Sequence, residues 1–576
     1  MEDFAVYSEK FWKKNWDQGI DDLAPEDYET TYVEMIEKIF REFPDKTALG
    51  YMGVDISFRE LDSHANRFAN MLIDKGFQKG DVAAINLPNI PEYPISLIGA
   101  LRAGCVTSGL SPLLSADQIK YQLNDLGSSG KRVALVTLDA IFAGHIVKIA
   151  SDIPSLKLVV ATNVAAFLPK WKQAMGKLLK KVPSGKVRPI GGKTTLLYHK
   201  DVLESYPDSP VNVDVSPDDL SCIQYTGGTT GPPKGAMLTH RNTVHNIMSV
   251  TRWLGWGMDD GTLLSGFPMF HVAGLLTCEC AIYYGWTQIL IPNPRDTDYI
   301  CKEMKKRRPT NLANVPSLYQ MLMENEKFRA LDHSALGACI SGAAPFPAES
   351  QKKLEAIIGE GKILEVYGMT ETSPISAMNP SKGKKKPGTV GMPFLNAECK
   401  LISAETGEEA KPGEPGEICV KGPMVMKGYF NKPEETEHAI DKDGYMRTGD
   451  VGIMDEDGYI RIVDRVKDMI IVGGFKVFSS KVEDMLARHP AVGVIALIGV
   501  ENPDRPGSEL VKAFIQRDPS YSGSEADIKE GIIKYAKEKC APYEVPKLIE
   551  IIEEAPLTVV GKIDKKALRA LEKERC

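Results

Sequence analysis

A stretch rich in glycine and threonine, residues 225–235, has the side chains to bind a phosphate group. Its sequence is Tyr-Thr-Gly-Gly-Thr-Thr-Gly-Pro-Pro-Lys-Gly. Glycines let backbone N–H groups approach an anion closely, while hydroxyl and ammonium groups add donors with little bulk. No Gly-Lys-Ser/Thr sequence closes the stretch and two prolines stiffen its end, so it is not a Walker A loop. We expect a nucleotide phosphate site here rather than a flexible surface loop.

This stretch resembles the phosphate-binding signature of the acyl-adenylate-forming superfamily, which includes acyl-CoA synthetases, peptide-synthetase adenylation domains and luciferase. The superfamily usually has serine where this chain has Gly227, and the variant found here is similar to that of long-chain fatty acyl-CoA ligases. Because one hydroxyl is absent, the phosphates are expected to depend on backbone N–H groups and on the threonines. The resemblance assigns phosphate binding to Thr226, Gly227, Gly228, Thr229, Thr230, Gly231 and Lys234.

Two further motifs resemble the nucleotide-binding segments of the same superfamily. Residues 341–345, Ser-Gly-Ala-Ala-Pro, resemble a turn whose small side chains let adenine lie against the backbone. Residues 367–371, Tyr-Gly-Met-Thr-Glu, resemble a motif that stacks on adenine, contacts the α-phosphate and binds Mg²⁺. Mg²⁺ prefers hard oxygen ligands, usually one or two carboxylates with phosphates and water. The resemblance therefore assigns ATP to Gly342, Ala343, Ala344, Tyr367, Gly368 and Thr370, and Mg²⁺ to Glu371 and Thr226.

Three motifs nearer the C-terminus complete the resemblance. Residues 447–450, Arg-Thr-Gly-Asp, resemble the ribose-binding motif, in which Asp450 would accept hydrogen bonds from both ribose hydroxyls. Arg465 resembles an arginine that reaches the nucleotide, and Lys467 matches the hinge about which a small domain pivots. Lys562 resembles the catalytic lysine, whose ammonium would bridge the carboxylate and the α-phosphate as charge builds in the transition state. The implied catalytic set is Lys562, Thr226, Glu371 and His271.

Residues 267–271, Phe-Pro-Met-Phe-His, bear on the identity of the substrate acid. They resemble the motif that lines the acyl pocket in the superfamily. His271 would gate the carboxylate and the pantetheine channel; the alternative is a histidine packed in the core. Relatives that activate amino acids place an aspartate here, and none lies between Gly261 and Asp296. A buried ammonium without a partner is costly, so an amino-acid substrate is disfavoured. The apolar surroundings favour a medium- to long-chain fatty acid, with an aryl acid as the alternative.

The expected acyl acceptor is coenzyme A, because no carrier-protein domain is fused to the chain; a free-standing carrier protein is the alternative. Residues 473–476 resemble the strand that faces the active site after the small domain rotates, where Gly474 would let pantetheine pass. Luciferase-like enzymes use a lysine where this chain has Ile471, which disfavours oxidative light emission. A non-catalytic lipid- or nucleotide-binding protein of the same fold is a third alternative, disfavoured by the retained Lys562, Glu371 and Asp450.

Composition limits the remaining classes. The chain has 576 residues, 43% of them hydrophobic and 26% charged, which indicates a soluble enzyme of more than one domain. A net charge of −7 gives no indication of nucleic-acid binding. The ten cysteines lack zinc or redox spacing, and no signal peptide, peroxisomal tripeptide or prenylation box is present, so we expect a cytoplasmic protein. Gly, Pro and His interrupt the uncharged residues 261–278, which favours a buried strand-turn-helix over a membrane span.

The order of apolar strands and amphipathic helices predicts an α/β fold with parallel layers. Residues 1–464 are expected to form the AMP- and acyl-binding domain, made of layered α/β subdomains and a β-rich subdomain around residues 411–430. Residues 465–576 are expected to form a small, mobile α+β domain. The segments on which this depends are helices in 61–75, 91–103 and 524–539, and strands in 81–87, 417–421, 494–500 and 548–552.

A basic amphipathic segment, residues 168–182, stands apart from this pattern. Its apolar residues recur at helical spacing, and five lysines occupy other positions. Such a helix either lies on an anionic membrane surface or packs on the domain with a solvated lysine face. Peripheral membrane contact through this segment, and a homodimer, are the partners left open by the sequence.

The role assigned to Lys562 predicts a split between the two half-reactions. Lys562→Ala should lose most acyl-adenylate formation, because the ammonium stabilises charge only in that step. It should spare thioester formation when acyl-AMP is supplied. Measuring each half-reaction separately checks this, and an equal loss of both would contradict the assignment.

Overall fold

The computed structural model describes residues 7, 9–178, 182–192, 194–226, 232–473, 475–505, 508–557 and 563–574. The architecture is mixed α/β, with two large sheets and a four-stranded sheet in the first four fifths of the chain and a small α+β unit at the end. This agrees with the predicted fold class.

The first large sheet has nine strands, and the adenine and acyl motifs follow the C-terminal ends of some of them. Its strands are β1 (Thr47–Tyr51), β2 (Val54–Ser57), β10 (Thr262–Ser265), β11 (Thr287–Leu290), β12 (Asn311–Asn314), β13 (Ala338–Ser341), β14 (Ile363–Gly368), β15 (Ile375–Met378) and β16 (Met392–Pro393). They lie in the order β16-β15-β14-β13-β12-β10-β11-β1-β2. The strand pairs from β14 to β1 are parallel. The chain segments that follow β10, β13 and β14 therefore leave the sheet at the same side, the C-terminal ends of the strands.

The second large sheet has eight strands and contains the two strands that flank the predicted phosphate loop. Its strands are β3 (Val82–Asn86), β4 (Val106–Gly109), β5 (Val133–Leu138), β6 (Leu156–Thr162), β7 (Thr195–Tyr198), β8 (Leu220–Thr226), β9 (Lys234–Thr239) and β19 (Gly428–Tyr429). They lie in the order β19-β9-β8-β4-β3-β5-β6-β7. All residues of β3 and β5 are buried, as expected for parallel strands covered on both faces.

The β-rich subdomain is a four-stranded antiparallel sheet that extends well beyond the predicted residues 411–430. Its strands are β17 (Glu398–Ile402), β18 (Pro415–Lys421), β20 (Met446–Met454) and β21 (Ile460–Arg465). Arg465 therefore belongs to the last strand of this sheet and pairs with Asp450 across it.

In its described residues, the C-terminal unit has a two-stranded sheet, a three-stranded sheet and three helices. Its strands are β22 (Ile470–Val472), β23 (Phe475–Val477), β24 (Val492–Glu501), β25 (Glu509–Arg517) and β26 (Leu548–Ile552). Two apolar clusters of this unit consist only of residues after 469, whereas the large clusters of the preceding part end at residue 462. The boundary predicted at residue 465 falls between these clusters and stays a prediction.

The helices cover the sheets. They are α1 (Tyr32–Glu42), α2 (Phe58–Asp74), α3 (Glu92–Arg102), α4 (Ala116–Gly127), α5 (Asp139–Ile141), α6 (Val147–Ile149), α7 (Lys170–Leu178), α8 (His199–Ser205), α9 (His240–Leu254), α10 (Val272–Tyr283), α11 (Thr297–Arg307), α12 (Pro316–Glu324), α13 (Glu326–Arg329), α14 (Ala348–Ile358), α15 (Pro433–Ala439), α16 (Ser479–Leu486), α17 (Glu525–Lys539) and α18 (Lys565–Lys573).

Local sequence explains where several helices begin. The side chains of Thr31, Ser57, Ser115 and Ser524 each accept a hydrogen bond from a backbone N–H of the first turn. In return, an acid or amide side chain three residues later accepts a hydrogen bond from the backbone N–H of the cap residue. The uncharged residues 261–278 form β10, a turn and most of α10, as predicted. Among the residues that the structure describes, no helix has the length and apolar character needed to cross a membrane.

Candidate active site

The predicted phosphate loop joins two antiparallel strands. β8 ends at Thr226 and β9 begins at Lys234, and these two residues pair across the hairpin. The Thr226 hydroxyl lies 3.4 Å from the Lys234 carbonyl oxygen. Gly227, Gly228, Thr229, Thr230 and Gly231 lie outside the described residues, so their assignment to phosphate stays a prediction. The described ends of the loop place one hydroxyl and one ammonium at its base.

The ammonium of Lys234 has two partners from the segment around α15. It forms an ion pair with Glu435, and it lies 5.0 Å from the centre of the Tyr429 ring. The ion pair lowers the pKa of Glu435. Lys234 is thus held in place by an acid and a ring at the described end of the predicted phosphate loop.

Glu371 lies in a short 3-10 turn, Thr370–Thr372, directly after β14. It is 6% exposed, and its carboxylate accepts a hydrogen bond of 2.7 Å from the Tyr429 hydroxyl. Burial raises the pKa of Glu371, and the nearby Lys234 opposes this increase. Tyr429 therefore contacts both the predicted Mg²⁺ ligand and the phosphate-loop lysine.

This part of the site can supply ligands for Mg²⁺. Among the described residues, no three His, Cys, Asp or Glu side chains form a metal-binding group. Glu371 supplies one hard carboxylate and Thr226 a hydroxyl, which fits an ion that takes its other ligands from phosphates and water. The assignment of Mg²⁺ to these two residues remains a prediction.

A second cluster joins the predicted adenine and ribose residues. The Tyr367 hydroxyl donates to a carboxylate oxygen of Asp450 at 2.8 Å, and Arg465 approaches the other oxygen at 3.2 Å. Burial raises the pKa of Tyr367 well above its usual value, so its hydroxyl stays protonated and a donor. Three residues that are distant in sequence thus meet at one carboxylate.

The predicted adenine turn leaves β13 beside the end of β14. Ala343 has a φ of 68°, in the left-handed region, so the backbone turns sharply there. A side chain at Gly342 would lie 2.7 Å from Val366, which explains the small residue. The turn ends at Phe346, whose N–H donates to the buried Glu365 and whose carbonyl accepts from Gln351.

The two clusters adjoin each other. Both β8 and β9 contact the Thr370–Thr372 turn. Thr370 is buried, and Gly368 lies against the Pro374 backbone with no room for a side chain. Residues 367–372 therefore link the described base of the predicted phosphate loop to the Tyr367–Asp450–Arg465 cluster.

The predicted acyl motif, residues 267–271, connects β10 to α10. His271 is half-buried and begins α10, where its Nδ1 atom accepts from the Ala273 N–H at 3.3 Å. The Gln224 side chain, two residues before Thr226 on β8, donates to the Phe270 carbonyl at 2.7 Å. This contact brings the acyl motif next to the strand that ends at the phosphate loop.

The C-terminal residues are described only in part. Lys467 lies in the turn between β21 and β22, and Lys476 on β23 lies 3.6 Å from Glu405 of the β-rich subdomain. Gly474 and Lys562 lie outside the described residues, so the pantetheine and catalytic assignments stay predictions. Arg569 on α18, which follows Lys562, forms an ion pair of 2.7 Å with Asp468, next to the predicted hinge.

Several residues of the site did not emerge from the sequence. Tyr429 and Glu435 contact predicted site residues but belong to no recognised motif; their only signal is a Gly-Tyr-Phe-Asn-Lys-Pro-Glu-Glu segment with an unusual mixture of rings and charges. Asn89 and Gln224 are buried amides, and an isolated amide in an apolar segment gives no signal by itself.

Asp450 provides a test of the nucleotide assignment. Asp450→Asn should weaken ATP binding about tenfold or more, because a hydrogen bond to a charged acceptor is worth about 1.5–3 kcal/mol. Asp455→Asn is the matched control, since that carboxylate pairs with Lys386 at 2.6 Å instead. Titration calorimetry with MgATP measures both, and an Asp450→Asn variant that binds like the wild type would contradict the assignment.

Comparison with known proteins places this geometry in a family. The family model described as "AMP-binding enzyme" matches residues 36–430, and the model described as "AMP-binding enzyme C-terminal domain" matches residues 481–562. A long-chain-fatty-acid–CoA ligase of Bacillus subtilis is 37% identical over 584 residues, covering 99% of both chains.

Solved structures agree with this. An anthranilate CoA ligase, AuaEII, in complex with anthranoyl-AMP superposes with a TM-score of 0.82 at 26% identity, covering 95% of this chain and 98% of that one. ATP-bound MatB from Rhodopseudomonas palustris superposes with a TM-score of 0.77 at 28% identity, covering 95% and 99%. The resemblance drawn from the motifs is therefore confirmed: the chain belongs to the AMP-binding enzyme family of acyl-adenylate-forming enzymes.

Proposed function

We propose that the chain is an AMP-forming carboxylic acid–CoA ligase that activates a medium- to long-chain fatty acid. One observation carries this proposal. Lys234, at the base of the predicted phosphate loop, lies near Glu371, as does Asp450. The acyl motif contacts Gln224 on the strand that ends at the same loop. The fatty acid is supported by the similarity to the Bacillus subtilis ligase, whose name states such a substrate. The alternatives are an aryl acid, as in the anthranilate ligase, and transfer to a carrier protein.

The first half-reaction joins the acid to AMP. Residues 342–344 and Tyr367 hold adenine, Asp450 and Arg465 hold the ribose, and the loop from Thr226 to Lys234 holds the phosphates. Glu371, together with the Thr226 hydroxyl, would hold Mg²⁺, which would supply positive charge to neutralise the phosphates. The acid carboxylate attacks the α-phosphorus, and pyrophosphate leaves. These residues contribute mainly by positioning the reactants and stabilising charge.

In this step, the ammonium of Lys234 would exchange its ion pair with Glu435 for a contact with a phosphate group of ATP. Glu435 forms an ion pair with the ammonium of Lys234. Phosphate oxygens of ATP carry more charge than one carboxylate, so they compete effectively for the same ammonium. Because the Glu435 side chain is 45% exposed, it can return to solvent at small cost when Lys234 contacts a phosphate.

The second half-reaction forms the thioester. The domain after residue 464 turns about Lys467, which withdraws Lys562 and brings Gly474 beside the acyl-adenylate. The thiolate of coenzyme A attacks the acyl carbonyl carbon and AMP leaves. A hinge is useful because each half-reaction needs different groups at the same place.

The character of α10 supports an uncharged acyl chain. Val272, Leu275 and Leu276 are buried and apolar. Glu279 is the one acidic residue of α10, and burial raises its pKa to about 8. It is therefore mostly neutral at pH 7 and offers no fixed charge for the ammonium of an amino acid.

A direct assay tests the substrate class. CoA-dependent AMP release is measured with acetate, octanoate, palmitate and benzoate, and repeated with a phosphopantetheinylated carrier protein in place of coenzyme A. We expect kcat/KM for octanoate or palmitate to exceed that for acetate and benzoate by about tenfold or more, because each buried methylene adds about 0.8 kcal/mol. Preference for benzoate, or for the carrier, would favour an alternative.

A second part of the proposal concerns α7 and peripheral membrane contact through residues 168–182. Trp171, Met175 and Leu178 recur on one face of α7, yet they are 62%, 48% and 83% exposed. Their apolar face therefore points to solvent rather than onto the domain. Leu168 is buried, which fixes the start of the segment to the core.

The positive charge around α7 favours an anionic membrane as the binding partner. No acidic residue occurs between Asp152 and Asp201, and this region contains the five lysines of residues 168–182. Lys172 anchors α7 by donating to the Met52 carbonyl at 2.9 Å, and Met52 is itself exposed. An exposed apolar face within a purely basic segment fits the surface of an anionic bilayer. The homodimer and the cytoplasmic location stay predictions.

Flotation with vesicles of phosphatidylglycerol and phosphatidylcholine tests this contact. Replacing Trp171, Met175 and Leu178 together by serine should abolish flotation, because the inserted apolar area is lost. Leu113→Ser is the matched control, since Leu113 is 75% exposed elsewhere on the surface. Unchanged flotation of the triple variant would refute the contact.

A further inference from the structure

The segment between β10 and α10, residues 266–270, is irregular but buried. Phe267 and Met269 are 4% and 1% exposed. Buried backbone groups outside helices and sheets need other hydrogen-bond partners, because an unpaired N–H or C=O costs stability. Side chains from other elements supply these partners here.

Asn89 binds this segment as a second peptide strand would. Its amide nitrogen donates to the Phe267 carbonyl at 2.9 Å, and its amide oxygen accepts from the Met269 N–H at 2.8 Å. Asn89 is 5% exposed and lies in the connection between β3 and α3. A single side chain from the other large sheet thus satisfies two backbone groups two residues apart.

Gln224 binds the next peptide group. Its amide nitrogen donates to the Phe270 carbonyl at 2.7 Å, and the residue is 3% exposed on β8. The Phe270 backbone lies so close to β4 that a side chain at Gly109 would come within 2.7 Å of the same carbonyl oxygen. Gln224 therefore fixes residue 270 from the strand that ends at Thr226.

The position of this segment determines that of His271. A side chain at Gly274 would lie 2.0 Å from the Pro268 carbonyl oxygen, so the first turn of α10 packs directly on the segment. His271 sits between the two and accepts from the Ala273 N–H. A shift of residues 267–270 would move the His271 ring and the start of α10 with it.

We infer that Asn89 and Gln224 are positioning residues for the acyl end of the active site. They act through the backbone of residues 267–270 and fix His271 and the apolar start of α10 relative to the phosphate loop. This inference rests on the proposed function, because it takes residues 267–271 as part of the acyl site. It assigns to both amides a role in binding the acid rather than ATP.

Asn86 gives a matched comparison three residues away. It is fully buried, and its amide donates to the Ser111 carbonyl at 2.8 Å and accepts from the Thr137 hydroxyl at 2.9 Å. Asn86 therefore does the same kind of structural work without touching residues 266–271. A purely structural role for Asn89 predicts that the two substitutions behave alike.

The experiment compares Asn89→Ala and Asn86→Ala in the full chain, with steady-state kinetics for acid and for ATP and a thermal unfolding curve for each. We expect Asn89→Ala to raise KM for the fatty acid about tenfold or more, since small misplacements of a substrate site are costly, and to leave KM for ATP unchanged. Asn86→Ala should leave both unchanged at a similar loss of Tm. Equal changes in both KM values, or none, would overturn the inference.

A double-mutant cycle with His271→Ala tests whether Asn89 acts through this segment. The effect of Asn89→Ala on KM for the acid should largely disappear in the His271→Ala background; additive effects would overturn the inference. If Asn89→Ala does not fold, Asn89→Ser and Gln224→Met are measured in the same way. The wild type is also tested for fatty-acid-dependent AMP formation. If the wild type forms no AMP, the proposed function is refuted; if it does, the variants test the inference alone.

Discussion

Buried loops at the edges of the two large sheets must satisfy their own backbone polar groups, and the rest of the site depends on how they do so. The loops that we assign to substrate binding are irregular for most of their length, so most of their backbone groups have no strand or helix partners. Their N–H and C=O groups nevertheless lie away from water. Side-chain amides and carboxyls from neighbouring elements supply the hydrogen bonds that a regular strand or helix would otherwise provide.

The same solution recurs at three places. Asn89 and Gln224 bind the acyl segment. Asn246 accepts from the Ile375 N–H at 3.0 Å and donates at 3.3 Å to the Thr372 carbonyl, in the turn that carries Glu371. Gln351 and Glu365 bind the two polar groups of Phe346, at the end of the adenine turn. Gln224 and Glu365 lie on strands, Asn246 and Gln351 on helices, and Asn89 in a connection, so each loop is fixed to other elements of the fold.

The charged groups follow a similar principle. Lys234 is paired with Glu435, Arg465 with Asp450, and Glu371 accepts from Tyr429. An unpaired charge in a partly buried cleft would be costly, and paired side chains lose little mobility when a ligand replaces one partner. The charged side chains of the predicted site are thus held in place by their protein partners.

The motifs of the sequence predicted the α/β fold and the meeting of Tyr367, Asp450 and Arg465, because each motif carries its own local pattern. The strands predicted in residues 81–87 and 548–552 and the helices in 61–75 and 91–103 agree with the structure. The helix in 61–75 was predictable because its apolar residues recur on one buried face. Tyr429, Glu435, Asn89 and Gln224 could not be found, because their roles arise only from packing between distant segments. The exposed face of α7 was equally undetermined, since amphipathic periodicity does not say which side meets the domain.

The central claim is that these segments converge on a single nucleotide. A crystal structure with a non-hydrolysable acyl-adenylate analogue tests it most directly. The account predicts the adenine between residues 342–344 and Tyr367, the ribose hydroxyls within hydrogen-bond distance of Asp450, and the acyl chain against the start of α10. An analogue bound elsewhere, or one whose ribose lies away from Asp450, would contradict it.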